Sequence, residues 1–265
     1  MLRILNIQIL TTAMAGYMDD DWLPPSGSEE EQERPEEGDG EADVVLPDYG
    51  DVNFWTEVYT HQRGRELAPQ EWLLSYQHFC AQGWRRFFDA AVRASGPGPR
   101  ILDLGCGDAD FMSEAYDDGY QDITGVDIVE EVLETMRQKN ATQRPNMKYV
   151  LADACDLTST LEAKDFDVVF DKSTLDALKC RGPEATGRMS SEVHRILQDD
   201  GVYLCVSLNP PEDAQSAIES TAHGERWEVE VLVCENENYE GRRDGPPKHL
   251  YMYVARKQQG KAECT

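Results

Sequence analysis

The residues best suited to bind a small molecule lie in the segment 101–108, which reads Ile-Leu-Asp-Leu-Gly-Cys-Gly-Asp. An apolar stretch leads directly into two glycines, where a ligand can approach the backbone without meeting a Cβ atom. Asp127 ends the next apolar stretch, 22 residues after Gly105, and its carboxylate can accept hydrogen bonds from both hydroxyls of a ribose. Asp153 follows the third stretch and can accept a bond from an adenine amino group, although a solvated loop acid explains it equally well. Together these residues predict a site for an adenosine-containing ligand.

The acids around the glycines distinguish between two such ligands. Dinucleotide-binding motifs have a third glycine and direct the N-terminus of a helix at a pyrophosphate. In this chain Asp110 occupies the third position, and Asp103 and Asp108 lie close by. Three carboxylates repel a pyrophosphate but suit a ligand that carries a sulfonium and an ammonium group. The motif therefore favours S-adenosylmethionine, with an NAD-dependent oxidoreductase as the alternative.

The elements that would position these residues follow from the hydrophobic pattern. One helical stretch covers residues 71–94, and strands then alternate with helices. The predicted strands are Arg100–Leu104, Ile123–Val126, Met147–Leu151, Phe166–Phe170, Val202–Leu208, Trp227–Val233 and His249–Ala255, and the clearest helices between them are Ala109–Asp118 and Ala185–Leu197. This alternation predicts an α/β fold: a doubly wound, seven-stranded, mostly parallel, Rossmann-like sheet whose last two strands form an antiparallel pair. Ligands of such sheets bind at the carboxyl ends of the strands.

The chain divides by composition into three parts. Residues 1–48 are acidic and rich in Pro, Gly, Ser and Glu, so we expect them to be disordered. Residues 49–258 form the expected catalytic domain, and residues 259–265 a flexible tail. The first sixteen residues hold one base and a short apolar stretch, which is weak evidence for a targeting peptide. We expect a cytoplasmic protein, with a mitochondrial location as the alternative.

The charge of the chain indicates which class of partner it can bind, and the pattern of its cysteines indicates whether it holds a metal. The formal net charge is −26, and between Asp19 and Asp51 fourteen acids face one base, Arg34. An acidic chain is unsuited to nucleic acid and suits a basic protein partner. No apolar run approaches the roughly 20 residues that cross a bilayer. The seven cysteines are scattered without a CxxC pair, which is typical of small buried hydrophobes and predicts no metal site.

The segment after the fourth strand resembles a known family. Residues 171–178, Asp-Lys-Ser-Thr-Leu-Asp-Ala-Leu, are similar to the D/E-K-G-T-L-D-A-L motif of seven-β-strand methyltransferases that modify lysines of elongation factor one-alpha and of mitochondrial citrate synthase. The likeness covers residues 49–256. It includes Phe54–Tyr59, Glu71-Trp72 and His249–Tyr253.

The resemblance implies a protein-lysine methyltransferase that is monomeric and uses S-adenosylmethionine. It also implies nine residues in contact with the cofactor: Trp55, Tyr59, Trp72, Gly105, Asp127, Ile128, Asp153, Ala154 and Lys172. For the three aromatic residues, packing of an N-terminal helix on the sheet is an equally good explanation from the sequence alone. A small-molecule acceptor and a non-catalytic interaction module are the alternative functions.

Several residues after the fourth and fifth strands carry further expectations. Asp171 is the candidate catalytic residue that orients the incoming amine, unless it is a structural acid paired with Lys172. Ser173 replaces the glycine of the family motif, which leaves the substrate less certain than the cofactor. The run Asn209-Pro210-Pro211 is interpreted as a loop, because the N-P-P-Y signature of enzymes that methylate amide or base nitrogens follows the fourth strand and not the fifth.

Overall fold

The structure is a computed structural model, and it describes residues 49–65, 71–91, 98–239, 241 and 247–258, with side chains to residue 60 in the first range. The predictions made for residues 1–48 and 259–265 concern residues outside this description. No helix in the described part of the chain has the length and apolar character needed to cross a bilayer. Within the same ranges, no group of three or more His, Cys, Asp or Glu side chains could hold a metal ion.

One seven-stranded sheet forms the centre of the fold, in the order β3-β2-β1-β4-β5-β7-β6. Its strands are β1 (Arg100–Leu104), β2 (Asp122–Asp127), β3 (Lys148–Leu151), β4 (Phe166–Lys172), β5 (Leu197–Ser207), β6 (Trp227–Glu235) and β7 (His249–Lys257). Strands β1 to β5 pair in parallel, and β7 is antiparallel to both β5 and β6. The predicted fold class is therefore confirmed. The first five strands end at the same edge, which brings the predicted ligand-binding residues together.

Helices cover both faces of the sheet, and they differ from the expectation at three places. Their bounds are α1 (Val52–Arg65), α2 (Tyr76–Ala81), α3 (Arg86–Ala90), α4 (Phe111–Asp117), α5 (Glu130–Asn140), α6 (Thr174–Arg181), α7 (Pro183–Ile196) and α8 (Pro211–Glu219). The single helix expected over residues 71–94 is wrong. Ser75 caps α2 by accepting a bond from the His78 N–H (3.1 Å), and Gly83, at φ +71°, separates α2 from α3.

Two helices were not predicted. Helix α6 follows β4 after only one residue, and α8 begins inside the proline run that the sequence suggested was a loop. That interpretation holds for Asn209 and Pro210, but Pro211 is the first residue of α8. Proline is well tolerated there because the first turn of a helix has no partner for the missing N–H.

The two faces of the sheet carry separate apolar cores. On the face of α2 to α4 the core is aromatic: Phe111 stacks on Phe170 with ring centroids 4.6 Å apart, and Phe79 meets both rings edge-on. On the other face, buried side chains of α6 to α8, including Met189 and Ile218, cover β4 and β5. With apolar packing on both sides, the strands are rigid supports for residues at their carboxyl ends.

Candidate active site

A cleft of about 890 Å³, open to solvent, lies at the carboxyl ends of β1 to β4. The structure places all nine residues of the predicted cofactor set in its lining: Trp55, Tyr59, Trp72, Gly105, Asp127, Ile128, Asp153, Ala154 and Lys172. These residues come from six separate segments between α1 and β4. The fold brings them together although the first, Trp55, and the last, Lys172, are 117 positions apart in the sequence.

The two glycines of the first motif are required by geometry. Gly105 has φ +71° and Gly107 has φ +53°, values that residues with a Cβ rarely adopt. A Cβ at Gly105 would lie 2.1 Å from the hydroxyl of Thr174, and one at Gly107 would lie 2.8 Å from the hydroxyl of Tyr59. Both positions therefore require glycine, because the side chains of Thr174 and Tyr59 occupy the space of a Cβ, and both glycines line the cleft.

Asp127 lies at the end of β2 and is 8% exposed. Its Oδ2 accepts a bond from the Gly107 N–H and its Oδ1 from the Val129 N–H, both at 3.0 Å. Burial raises the pKa of this carboxyl, and the backbone N–H bonds oppose the rise. A carboxylate has about four lone-pair sites and Asp127 lines the cleft, so the sites that these backbone bonds leave free can accept bonds from the hydroxyls of a ribose.

Three aromatic side chains, Trp55, Tyr59 and Trp72, form an aromatic wall of the cleft. The Trp55 ring stacks on the ring of Tyr59 at an interplanar angle of 30° and meets that of Trp72 edge-on, with centroids 6.3 and 5.9 Å apart. The indole N–H of Trp55 donates to the carbonyl oxygen of Tyr49 at 2.7 Å. These rings offer apolar and π surface to a flat or cationic ligand. Packing and ligand contact are thus compatible roles for the same three side chains.

Two acids, Glu71 and Asp103, interact with Lys172, which lines the cleft, whereas the acids themselves lie outside the lining. The ammonium of Lys172 is almost buried and contacts the carboxylate of Glu71, while it donates to the Trp72 carbonyl oxygen at 2.9 Å. Burial raises the pKa of Asp103 to about 7, with Lys172 opposing the rise, and it also raises the pKa of Glu71. Burial disfavours the ionised form of these carboxyl groups, and a nearby cation such as a sulfonium or an ammonium group stabilises that form. The site therefore fits S-adenosylmethionine in shape and in charge.

Asp171 is placed differently from the expectation. It is fully buried and is not among the residues that line the cleft. Its Oδ1 accepts a bond from the Thr174 N–H at 2.8 Å, and its Oδ2 one from the Tyr203 hydroxyl at 2.8 Å. Neighbouring residues of a strand point to opposite faces of the sheet, so Asp171 faces away from Lys172, whose partner is Glu71. Asp171 is thus a structural acid that holds the start of α6, with Tyr203 and not Lys172 as its side-chain partner. Its role in orienting the incoming amine stays a prediction.

Gly50, Ser173 and Arg181 are among the lining residues that the sequence analysis did not include in the predicted site. Arg181, at the end of α6, lies 3.9 Å from the carboxylate of Asp153, and its alkyl stem occupies the space where Gly50 would carry a Cβ. Ser173 has φ +76°, a conformation that favours the glycine of the family motif. The family motif already indicated the unusual backbone at Ser173, because the motif has glycine at this position. For Gly50 and Arg181 there was no such signal, because their contact joins positions 131 residues apart.

Curated relatives cover much of the chain. The eEF1A lysine and N-terminal methyltransferase of Bos taurus is 34% identical over 190 residues, which are 69% of this chain and 25% of the relative. The Homo sapiens protein of the same name is 35% identical over 199 residues, 71% of this chain and 26% of the relative. The chain thus spans about a quarter of the length of these two relatives. Methyltransferase srdJ of Neurospora crassa is 30% identical over 216 residues, 80% of this chain and 85% of the relative.

Solved structures share the fold at low identity. A phosphoethanolamine N-methyltransferase 2 of Haemonchus contortus, in complex with S-adenosylhomocysteine, gives a TM-score of 0.53 at 16% identity, covering 78% of this chain and 58% of the other. A Haloferax volcanii methyltransferase in complex with the activator Trm112 gives 0.54 at 12%, covering 82% and 100%. Residues 95–257, more than half of this chain, match the family model of a methyltransferase domain. The cleft residues fit S-adenosylmethionine as the cofactor, and the chain belongs to the methyltransferase domain family.

Proposed function

We propose that this methyltransferase modifies the ε-amine of a lysine in a protein substrate, with a translation elongation factor as the first candidate. The observation that carries the proposal is the 34–35% identity to two relatives named eEF1A lysine and N-terminal methyltransferase. That name joins two acceptors, a lysine side chain and an N-terminal amine. Because the chain matches only about a quarter of each relative, an experiment has to compare both acceptors.

The chemistry sets requirements that the cleft can meet. S-adenosylmethionine supplies an electrophilic methyl group on a sulfonium, and transfer needs the acceptor nitrogen in line with it. A lysine amine must first lose a proton, since its unperturbed pKa is about 10.4. The apolar surface of Trp55 and Trp72 removes water from the approach and so lowers the pKa of an entering amine.

The charge of the chain supports a basic protein partner. A formal net charge of −26 favours the encounter with a positively charged segment and disfavours an acidic one. The electrostatic attraction between enzyme and substrate weakens as salt is added, because the Debye length falls from about 10 Å at 0.1 M to about 3 Å at 1 M. A lysine within a basic surface of a folded substrate is therefore the acceptor that we propose.

The test is methylation of purified elongation factor one-alpha with S-adenosylmethionine that carries an isotopically labelled methyl group. Tandem mass spectrometry then assigns the label to a lysine or to the N-terminus, and a substrate with a blocked N-terminus separates the two. We expect label on one lysine, retained when the N-terminus is blocked, and lost with the Asp127→Asn enzyme. Label only at the N-terminus, or only in the small-molecule fraction of a cell extract, would refute the proposal.

A further inference from the structure

A strained turn presents Trp72 to the cleft. The Leu74 N–H donates to the Trp72 carbonyl oxygen at 2.7 Å, and Leu73, between them, has φ +64°. This is the hydrogen bond and the positive φ of a γ-turn of the rarer, strained kind. Leu73 is also 4% exposed, so a bulky buried residue occupies a conformation that usually requires glycine. Such backbone persists only where the surroundings over-determine it.

Contacts from two parts of the fold fix this turn. On the cleft side, the ammonium of Lys172 donates to the Trp72 carbonyl oxygen, the same oxygen that closes the turn. On the far side, the Asn238 side-chain amide donates to the Leu73 carbonyl oxygen at 3.2 Å. The carboxylate of Glu237 accepts the Ser75 N–H at 2.6 Å. The turn is therefore held between β4 and the residues that follow β6.

The residues that follow β6 are themselves well anchored. Asn236 is 5% exposed. Its backbone N–H donates to the Lys248 carbonyl oxygen at 2.9 Å, and its side-chain amide to that of Pro247 at 3.0 Å. Its side-chain oxygen accepts the Asn238 N–H at 3.0 Å. Because Asn236 ties this stretch to the start of β7, Glu237 and Asn238 act from a fixed platform.

We propose that Glu237 and Asn238 are positioning residues for the cofactor site. Neither lines the cleft. Asn238 binds Leu73 within the turn, and Glu237 binds Ser75, the residue directly after it; the first residue of the turn, Trp72, forms part of the aromatic wall. If either contact is lost, the turn can relax toward ordinary backbone angles and Trp72 can leave its place against Trp55. Affinity for S-adenosylmethionine therefore depends on the connection that leaves β6, on the opposite side of the turn from Lys172.

The test measures S-adenosylmethionine binding by isothermal titration calorimetry in Glu237→Ala and Asn238→Ala. Glu230→Ala is the matched control, since Glu230 is an exposed glutamate of β6. Loss of a charge-assisted hydrogen bond that preorganises a site is expected to raise the dissociation constant on the order of tenfold for Glu237→Ala. The rise for Asn238→Ala should be smaller, and the control should bind like the unaltered protein. Dissociation constants within twofold of the unaltered protein for both variants would overturn the proposal.

A second measurement separates positioning from a general loss of stability. In a Trp72→Ala background the turn no longer presents a ring, so Glu237→Ala should cause no further loss of affinity. If its effect remains as large as in the unaltered protein, Glu237 does not act through Trp72 and the assignment is wrong. Both measurements use cofactor binding alone and are independent of which substrate is methylated.

Discussion

Replacing Asp127 by asparagine tests the predicted hold on the ribose most directly. The change keeps the size and shape of the side chain and removes its charge and one acceptor oxygen. Alanine is the poorer choice. It would be expected to abolish cofactor binding, but it would also leave the buried N–H groups of Gly107 and Val129 without their 3.0 Å partners. A loss of binding in Asp127→Ala would therefore mix damage to the fold with loss of the ligand contact.

The magnitude for Asp127→Asn follows from these contacts. A hydrogen bond to a charged acceptor contributes about 1.5–3 kcal/mol, and one between neutral groups about 1 kcal/mol. Asparagine loses one of the two ribose contacts and weakens the other, which amounts to about 2–3 kcal/mol. This corresponds to an S-adenosylmethionine dissociation constant about 30- to 150-fold higher. The free energy of unfolding should fall by only about 1 kcal/mol, because removing a buried charge offsets part of the lost bond to a backbone N–H.

Calorimetric titration with S-adenosylmethionine and urea unfolding measure the two quantities. Asp122→Asn is the matched control, because Asp122 begins the same strand at the edge of the sheet away from the cleft. Its dissociation constant should equal that of the unaltered protein. An Asp127→Asn protein that binds S-adenosylmethionine within threefold of the unaltered protein would show that this carboxylate does not contact the cofactor.

Two further predictions concern backbone strain and pH. Ser173 has φ +76°, a conformation that strains residues with a Cβ, so Ser173→Gly should be about 1 kcal/mol more stable in urea unfolding than Ser173→Ala. Equal stabilities of the two variants would show that the backbone is not strained at this position. Burial raises the pKa of Asp103 from 3.8 to about 7, so between these values the folded protein holds a proton that the unfolded chain has released. Stability should therefore fall as the pH rises from about 4 to 7, and S-adenosylmethionine affinity should rise, since a cation favours the ionised carboxylate. Thermal unfolding measures how stability changes with pH over this range, and calorimetry measures how S-adenosylmethionine affinity changes. Both changes should be smaller in Asp103→Asn, and an unchanged pH dependence of the two quantities would contradict this role of Asp103.

Local sequence features were sufficient for the fold class and for much of the cleft. Apolar strands alternating with helices predict a parallel sheet because both faces of such a sheet must be covered. Gly105 and Asp127 then fall at adjacent strand ends, since parallel strands finish at one edge. Short-range features were harder to locate: the start of α2 depends on the cap at Ser75, the break between α2 and α3 on Gly83, and the start of α8 on Pro211.

The sequence by itself determined the sheet, the glycine motif and the acids at its strand ends, because each depends on residues close together in the chain. Only the tertiary structure decided which groups meet. The alternation of β4 turns Lys172 toward Glu71, 101 residues earlier, and turns Asp171 away toward Tyr203. The anchoring of Trp72 by Glu237 and Asn238 is likewise a contact between distant segments. Such contacts depend on the directions of side chains after packing, which no spacing along a single chain specifies.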